Sequence, residues 1–367
     1  MSGLLGQGSR ATGLVGDVVD GRFLRQAIGG QESIIDIGGT PYHLHAFLGN
    51  GTFSLYRNVT ACIMIQAGGG TGAKTYGDTD TGKGAGGAGG NISTGTGTAI
   101  TAGAYTIVVG AGGVGSNSAG TASNNDHGAN GSDSTGFGKT AKGGGGGGAS
   151  DGTGPNNAGR PGGCGGGASS RGPGPHSAGA STQATAGSAS GGDWTARGTA
   201  GGTGLNGNLG GAGGGGLQQP GVAVYPAGQG AVTSDGEYSR GGAGGKGHDF
   251  SYQYGSMYGE HGWLGGGGGG GSYGRMKWNN SSDPMNVGVV HRGLQAEGGM
   301  GGGGNGLYAD ESSFTGYCMM ENYDGLPNTG GGGGGSGEDA GRTDFGGTNT
   351  SWGGSGIVLI RYACIEI

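Results

Sequence analysis

Residues 264–272 read Leu-Gly-Gly-Gly-Gly-Gly-Gly-Gly-Ser, a run of seven consecutive glycines. Two further uninterrupted runs occupy residues 143–148 and 330–335. Glycine supplies 110 of the 367 residues, while hydrophobic residues make up only 31%, and this composition argues against one large hydrophobic core. Collagen is excluded as well, because the glycines show no sustained period of three and only nine residues are proline.

Glycine runs can become ordered only through collective packing, because fixing a backbone costs about 1–2 kcal/mol per residue and glycine loses the most freedom. A helix of the polyproline II shape has three residues per turn and no internal hydrogen bonds, so its N–H and C=O groups point outward. Glycine helices of this shape can bond laterally at a spacing that only a residue without Cβ permits. We therefore expect a bundle stabilised by backbone hydrogen bonds worth about 0.5–1.5 kcal/mol net each. The three pure runs should be interior, and mixed runs such as 213–216 and 298–304 should lie at the rim.

Segments with strand character flank the glycine-rich part. Tyr42–Phe47 and Thr52–Tyr56 alternate on either side of Asn50-Gly51, which predicts a hairpin. Further strands are expected at 61–66, 105–109 and 356–362, and the last should pair with those at 42–66 and 105–109. We predict an all-β fold with almost no α-helix, in which a small antiparallel β-sheet carries a packed bundle of polyglycine II helices with irregular loops.

The same patterns divide the chain into four regions. Residues 1–40 hold many apolar side chains with few partners of their own, which predicts an attachment or assembly segment that packs on another copy or another protein. A flap packed on its own body is the alternative. Residues 41–110 form the β-strand region, 111–355 the polyglycine II body with aromatic loops, and 356–367 the closing β-strand that pairs with residues 41–110.

Charge and motifs argue against several functions. The net charge of -6 does not suit a nucleic-acid partner. No apolar run approaches the roughly 18 residues of a membrane span, and no signal peptide is visible, which favours a soluble protein made in the cytoplasm without membrane insertion. The four cysteines show neither zinc-site nor disulfide-framework spacing. Residues 110–115 fit G-x-G-x-x-G, but such matches arise by chance at this glycine content.

Catalysis is not indicated either, so we expect no enzyme activity and no cofactor. The histidines outside the first strands, at positions 127, 176, 248, 261 and 291, lie in separate loops and show no spacing to nucleophiles or carboxylates that is typical of catalysis. His43 and His45 share one face of a strand and are the candidate metal ligands, particularly if three chains met around an axis. A solvated strand face is the commoner outcome, so no metal is predicted.

Aromatic residues are concentrated in the insertions between glycine runs, at 217–240, 246–264, 272–297 and 305–329. Turns between antiparallel helices should gather such insertions at the ends of the bundle. Tyr and Trp rings offer a large contact area at low entropy cost and stack on sugars. The candidate receptor-binding residues are Tyr252, Tyr254, Tyr258, Trp263, Tyr273, Trp278, Tyr308 and Tyr317. Packing between helices, or capping of the bundle, is the alternative for each ring.

Several of these stretches resemble the glycine-rich domain of bacteriophage tail-fibre and adhesin proteins. They are His45–Ser54 leading into Ile63–Gly70, Tyr105–Gly110 and Gly353–Tyr362. The resemblance implies polyglycine helices packed in layers, with distal loops that contact the host surface. The opening Met1–Arg10 is also similar to the start of small virion structural proteins of phages.

From this resemblance we expect a virion protein of the tail fibre or particle surface, most simply a homotrimeric receptor-binding adhesin. Its partners would be other virion structural proteins, through residues 1–40, and a host cell-surface glycan or outer-membrane protein. A single copy that caps a trimeric fibre is an alternative assembly. The alternative function is a head fibre or a capsid or tail decoration protein with a purely structural role. A silk-like matrix is disfavoured, because the loops are too irregular for repeats.

Overall fold

A computed structural model of the protein describes residues 18–19, 23–73, 83–115, 127–149, 157–170, 175–183, 194–205, 210–223, 240–274, 296–306, 323–336, 338–339 and 351–366. Strands make up 32% and helix 2% of the described residues, and no helix of seven or more residues occurs among them. The predicted all-β character, with antiparallel sheets, is confirmed.

The strands are β1 (Val18–Val19), β2 (Phe23–Leu24), β3 (Ala27–Ile28), β4 (Gln31–Ile37), β5 (Thr40–Phe47), β6 (Gly51–Leu55), β7 (Val59–Gln66), β8 (Asn91–Thr94), β9 (Thr98–Ile100), β10 (Gly103–Ile107), β11 (Ser134–Gly136), β12 (Lys139–Ala141), β13 (Trp194–Arg197), β14 (His248–Asp249), β15 (Trp263–Leu264), β16 (Tyr273–Gly274), β17 (Glu338–Asp339) and β18 (Ile357–Ala363). A single helical turn, α1 (Ser251–Tyr254), lies between β14 and β15.

The largest sheet has the order β13-β8-β7-β18-β5-β4, with β9 also paired to β7. The strand β18 is central and antiparallel to both neighbours, so that Ile360 lies opposite His45 on one side and Ile63 on the other. The predicted pairing of the closing strand with residues 42–66 is confirmed. Its predicted pairing with residues 105–109 is wrong, because β10 pairs with β6 in a separate sheet of order β10-β6-β3.

The expected hairpin around Asn50-Gly51 is also wrong. The described strands β5 and β6 belong to different sheets, and the residues between them turn the corner from one sheet to the other. The Asn50 side chain accepts a hydrogen bond from the Val109 N–H at 2.9 Å, which ties this corner to the end of β10. The actual hairpin joins β4 to β5 through Gly38-Gly39, with φ of 64° and 82°, the conformation of a two-residue primed turn.

The β4–β5 hairpin crosses the expected boundary at residue 40, and β3 pairs with β6. Residues 27–37 are therefore strands of the chain's own sheets, which is the alternative reading of this segment. Val18–Val19 pair with Phe23–Leu24, and residues 1–17 and 20–22 of the predicted attachment segment lie outside the described residues.

Both faces of the seven-stranded sheet are buried, because alternate residues of β7 and β18 point to opposite sides. The first core fills the space between the two sheets and includes Phe47, Phe53, Leu55, Ile63, Ile65, Ile107, Val358, Ile360 and Tyr362. The second core lies on the opposite face and joins Leu44, Met64 and Leu359 to Leu217, Phe250, Tyr254 and Leu264 of the glycine-rich part. Loops of that part therefore cover one face of the sheet.

The glycine-rich segments bond laterally with a repeat of three residues. In segment 83–90 the N–H groups of residues 84, 87 and 90 donate to the carbonyls of 148, 145 and 142. Those of residues 85 and 88 donate to 212 and 215, and those of 86 and 89 donate to 333 and 330. Every third residue thus faces the same neighbour, in antiparallel, parallel and antiparallel alignment respectively.

Three more segments, 67–73, 164–167 and 268–271, donate to the carbonyls of segment 83–90. This segment therefore has six bonded neighbours, and we call the arrangement of segments around it the glycine lattice. The three-residue repeat is the pattern that a polyglycine II bundle requires. The handedness and rise of the individual segments stay a prediction.

The runs 143–148, 265–271 and 330–335 are buried throughout, as predicted. Met300 is 47% exposed, so the mixed run 298–304 reaches the surface as expected. The run 213–216 was also expected at the rim, and that expectation is wrong, because all four glycines are buried. The expectation that only pure glycine runs are interior fails for segment 83–90. This segment is central, and it contains the alanines Ala85 and Ala88, which are fully buried. These two residues are three apart, so both methyls lie on one face of the segment, and Ala88 packs in the second core instead of against another backbone.

Candidate functional site

The insertion Lys246–Leu264, which we call the aromatic loop, is an ordered unit. Strands β14 and β15 pair at its base, with His248 opposite Leu264 and Asp249 opposite Trp263. The Asp249 carboxylate accepts a hydrogen bond from the Ser251 N–H at 2.8 Å at the start of α1. Hydrogen bonds from the side chain and backbone of Ser251 lower the pKa of Asp249, so the carboxylate stays charged while it holds this turn.

The aromatic loop lies against the sheet and not at a free end of the glycine lattice. Phe250, Tyr254 and Leu264 are each only 1% exposed and belong to the second core. The Gln253 amide donates to the Gly95 carbonyl at 3.1 Å, and the Tyr258 hydroxyl lies 3.5 Å from Gln31 Oε1. These contacts fix the loop to β4 and to the residues that follow β8.

Tyr254 is therefore not a receptor-contact residue, and that prediction is wrong. Its ring fills the core against the sheet, and burial raises its pKa well above the usual value. The short spacing between Phe250 and Tyr254 places both rings on the inner side of the single helical turn α1, where they pack in the second core.

The outward surface of the aromatic loop is formed by Tyr252, which is 59% exposed, and Met257, which is 66% exposed. Tyr258 and Trp263 are partly exposed. The Lys246 ammonium lies 4.4 Å from the centroid of the Trp263 ring, a cation–π distance. Of the predicted rings in this loop, Tyr252 is thus the one that is most available to a partner.

The other predicted rings are not brought to this surface by the described structure. Tyr273 lies in β16, whose backbone pairs with β17 in parallel, while its side chain is not among the described groups. Trp278, Tyr308 and Tyr317 lie outside the described residues. Met257 belongs to the exposed surface but was missed, because sequence reasoning selected rings only.

Two arginines contact the rings by which the aromatic loop packs on the sheet. The Arg361 guanidinium lies 4.5 Å from the centroid of the Tyr42 ring and 5.9 Å from that of Tyr254. The Arg197 guanidinium lies 5.6 Å from the Phe250 ring and donates to the Ser93 hydroxyl at 2.7 Å. Burial, with a contribution from Arg197, lowers the pKa of His248 to about 4, so this histidine is neutral near pH 7.

The candidate metal ligands His43 and His45 are core residues, 5% and 1% exposed. One His45 ring nitrogen lies 2.8 Å from the Gly29 carbonyl, and the other lies 2.8 Å from the Tyr362 hydroxyl. Burial lowers the pKa of both histidines. The expected solvated strand face is therefore wrong, and in the described part of the chain no group of three or more His, Cys, Asp or Glu residues is placed to hold a metal ion.

A second surface feature was not found from the sequence. An open cleft of about 370 Å³ lies beside β9, β10 and the β11–β12 turn, and its walls include Ile100, Thr101, Tyr105, Thr106, Phe137 and Gly138. The sequence does contain one signal for this region. The two residues Phe137-Gly138 lie between two short β-prone segments, and two residues is the length of a tight hairpin turn.

No protein-family model matches the chain, and a search of curated proteins also finds no match. Among the described residues, none of the helices has the length and apolar character needed to cross a bilayer. The class is therefore defined by the architecture alone: an antiparallel β-sheet protein in which a glycine lattice and a buried sheet face together hold an exposed aromatic loop.

Proposed function

We propose that the protein is a structural protein of a bacteriophage particle, a tail-fibre adhesin whose aromatic loop contacts the host cell surface. The observation that carries the proposal is the glycine lattice with its three-residue repeat of lateral bonds, which is the arrangement implied by the resemblance to phage tail-fibre proteins. The flanking strands that carry this resemblance are β5, β7, β10 and β18.

Rigidity is what the architecture supplies to such an adhesin. A partner pays less entropy to bind a loop that is already ordered. The aromatic loop is held by the second core, by the Gln253 and Tyr258 contacts and by the arginine–ring contacts at its base. Tyr252 then presents a large ring with few rotatable bonds, the type of side chain that is favoured in binding surfaces.

Attachment to the particle is assigned to the first residues of the chain. Val18–Val19 pair with Phe23–Leu24, and β3 and β4 pair within the chain's own sheets, so we propose residues 1–17 as the joining segment. We keep a homotrimer as the proposed assembly and a cell-surface glycan or outer-membrane protein as the proposed receptor class.

The test is a Tyr252→Ser substitution in the phage that encodes this chain. Because Tyr252 is exposed, we expect particles to assemble in normal numbers while the adsorption rate constant falls by at least about tenfold, a loss of roughly 1.4 kcal/mol of contact energy. Tyr56→Ser is the matched control, since Tyr56 is a 40% exposed tyrosine outside the aromatic loop. Unchanged adsorption by the Tyr252 variant would refute the contact role.

A purely structural role, as a head fibre or a capsid or tail decoration, is the second candidate. Two observations favour it: Tyr254 is buried, and the Lys246 ammonium lies over the Trp263 ring. Both reduce the aromatic surface that a receptor could contact. Gold labelling of an epitope-tagged chain on intact particles separates the two functions. Label at fibre tips supports the adhesin, and label on the shell or along the tail supports the structural role.

A further inference from the structure

The open cleft beside β10 lies on the opposite side of the seven-stranded sheet from the aromatic loop. Tyr105 and Phe137 pack against the first core, whereas Phe250 and Tyr254 belong to the second. The two rings of the cleft are neighbours, with centroids 4.8 Å apart and planes inclined by 33°. The cleft is therefore a separate surface, and what it binds does not depend on the role of the aromatic loop.

Phe137 occupies an unfavourable backbone position. It is the first residue of the two-residue turn between β11 and β12, with φ of 53°, and Gly138 follows with φ of 71°. Asparagine, aspartate and glycine adopt this turn readily, whereas a positive φ is a genuine outlier for a bulky residue. Backbone strain of this kind is concentrated at functional sites, where the side chain has a use that outweighs it.

The part of the cleft formed by Tyr105, beside Phe137, is pre-organised. The Tyr105 hydroxyl donates to the Thr101 carbonyl at 2.8 Å, and the Ala102 N–H donates to the Asn58 side chain at 2.8 Å. These bonds fix the Tyr105 ring and the β9–β10 turn before any ligand arrives. A cleft whose walls are already in place loses less entropy on binding.

The chemistry of the walls selects the ligand class. None of the described residues that line the cleft is charged. Lys139, the charged residue next to the turn, holds its ammonium 5.4 Å from the Trp194 ring centroid. The aromatic rings and Ile100 offer an apolar surface, while Thr101 and Thr106 bring hydroxyl groups to its edge. A ligand that matches must be neutral, with an apolar ring face and a hydroxylated rim.

We propose that this cleft binds a neutral sugar residue, with one face of the sugar ring against Phe137 and Tyr105 and its hydroxyls toward Thr101 and Thr106. The cleft volume of about 370 Å³ lies at the lower end of the range for small-molecule sites, about 300–1,000 Å³. The site therefore accommodates one sugar unit, free or at the end of a glycan.

The experiment uses saturation-transfer difference NMR on the full-length protein. The probes are methyl α-D-glucopyranoside, methyl β-D-galactopyranoside and N-acetyl-D-glucosamine, each at about 10 mM, ten times a millimolar Kd. We expect at least one sugar to receive saturation and sodium phosphate at the same concentration not to displace it. Silence from all three sugars, or displacement by phosphate, would overturn the proposal.

The decisive variant is Phe137→Asn, because asparagine fits the turn better than phenylalanine while removing the ring. The turn gains stability while the edge of the first core loses the contact of the Phe137 ring with Phe53, so the melting temperature is measured to show that the variant is folded. In the folded variant we expect a loss of affinity of at least about tenfold. Phe137→Tyr should retain binding, and Val222→Ala, an exposed apolar position of the glycine-rich part, is the control. Undiminished sugar binding by a folded Asn variant would overturn the assignment.

Thr106→Val provides an independent check in case the Asn variant does not fold. Thr106 is exposed on β10, and valine keeps both its shape and its strand propensity. Loss of affinity of a few-fold supports a hydroxyl contact with the sugar, and unchanged affinity contradicts it. The assay needs no host cell, so its failure leaves the adsorption test of the aromatic loop unaffected.

Discussion

Replacing Gly86 with alanine tests the physical basis of the glycine lattice. A Cβ added at Gly86 would lie 2.1 Å from the carbonyl oxygen of Gly70 and 2.8 Å from the carbonyl carbon of Thr71. Real Cβ atoms essentially never approach a neighbour closer than 3.0 Å. The segments 83–90 and 67–73 must therefore separate by about 1 Å to accept the methyl group.

The cost follows from the bonds that join these two segments. They are Ala67 N–H to Gly90 O at 3.1 Å, Gly70 N–H to Gly87 O at 2.9 Å and Ala73 N–H to Gly84 O at 3.0 Å. A separation of about 1 Å takes all three beyond hydrogen-bonding distance. At about 1 kcal/mol net for each bond the loss is about 3 kcal/mol. Alanine restricts the unfolded chain and returns about 0.4–1 kcal/mol, so we expect a net loss of about 2–3 kcal/mol.

The measurement is the free energy of unfolding from urea titration, followed by tryptophan fluorescence. The control is Gly49→Ala, because no heavy atom lies within 4 Å of a Cβ built at that exposed glycine. We expect the control to be neutral or slightly stabilised. If Gly86→Ala and Gly49→Ala agree within about 0.5 kcal/mol, close backbone contact does not hold the lattice together, and the reasoning fails.

Two further predictions concern the same interior. The amide protons of Gly267 and Gly332, bonded at 2.8 and 2.9 Å to Gly245 and Gly266, should exchange with deuterium as slowly as those of β18; exchange at the rate of an open loop would contradict an ordered lattice. Lowering the pH from about 6.5 to about 4 should reduce the free energy of unfolding. Burial lowers the pKa of His43 and His45 and brings that of His248 to about 4. The unfolded chain therefore takes up more protons than the folded chain in this pH range. Urea titrations at several pH values measure this loss, and His45→Gln should flatten it while His261→Gln, at an exposed position, should not.

Much of the fold follows from local sequence, and the errors arise where long-range packing decides. The glycine runs predict lateral bonding because a helix of the polyproline II shape has no internal hydrogen bonds, so buried runs can satisfy their backbone groups only with neighbouring segments. The closing strand is predictable because Ile357 and Leu359 need partners. The hairpin at Asn50-Gly51 is a local signal that the two-sheet core overrides, since Phe53 and Leu55 are buried between the sheets only if β6 leaves the sheet of β5.

The candidate site is predictable in composition but not in orientation. Sequence alone identifies the insertion 246–264 as aromatic, yet burial of Tyr254 and exposure of Tyr252 depend on which side of α1 meets the sheet. The cleft is even harder to predict from the sequence. Nothing in the local sequence says that Phe137 adopts a positive φ or that Tyr105, about thirty residues earlier, lies beside it.

The position of β18 has a consequence for how the protein is made. This strand leaves the ribosome after every other described strand, yet it lies between β5 and β7 in the middle of the sheet. Until translation reaches residue 363, those two strands have no common neighbour, and the apolar side chains on both faces of β7 are incompletely covered. The sheet can therefore close only after β18 has been synthesised, and a truncation before residue 357 would remove the strand that joins β5 to β7.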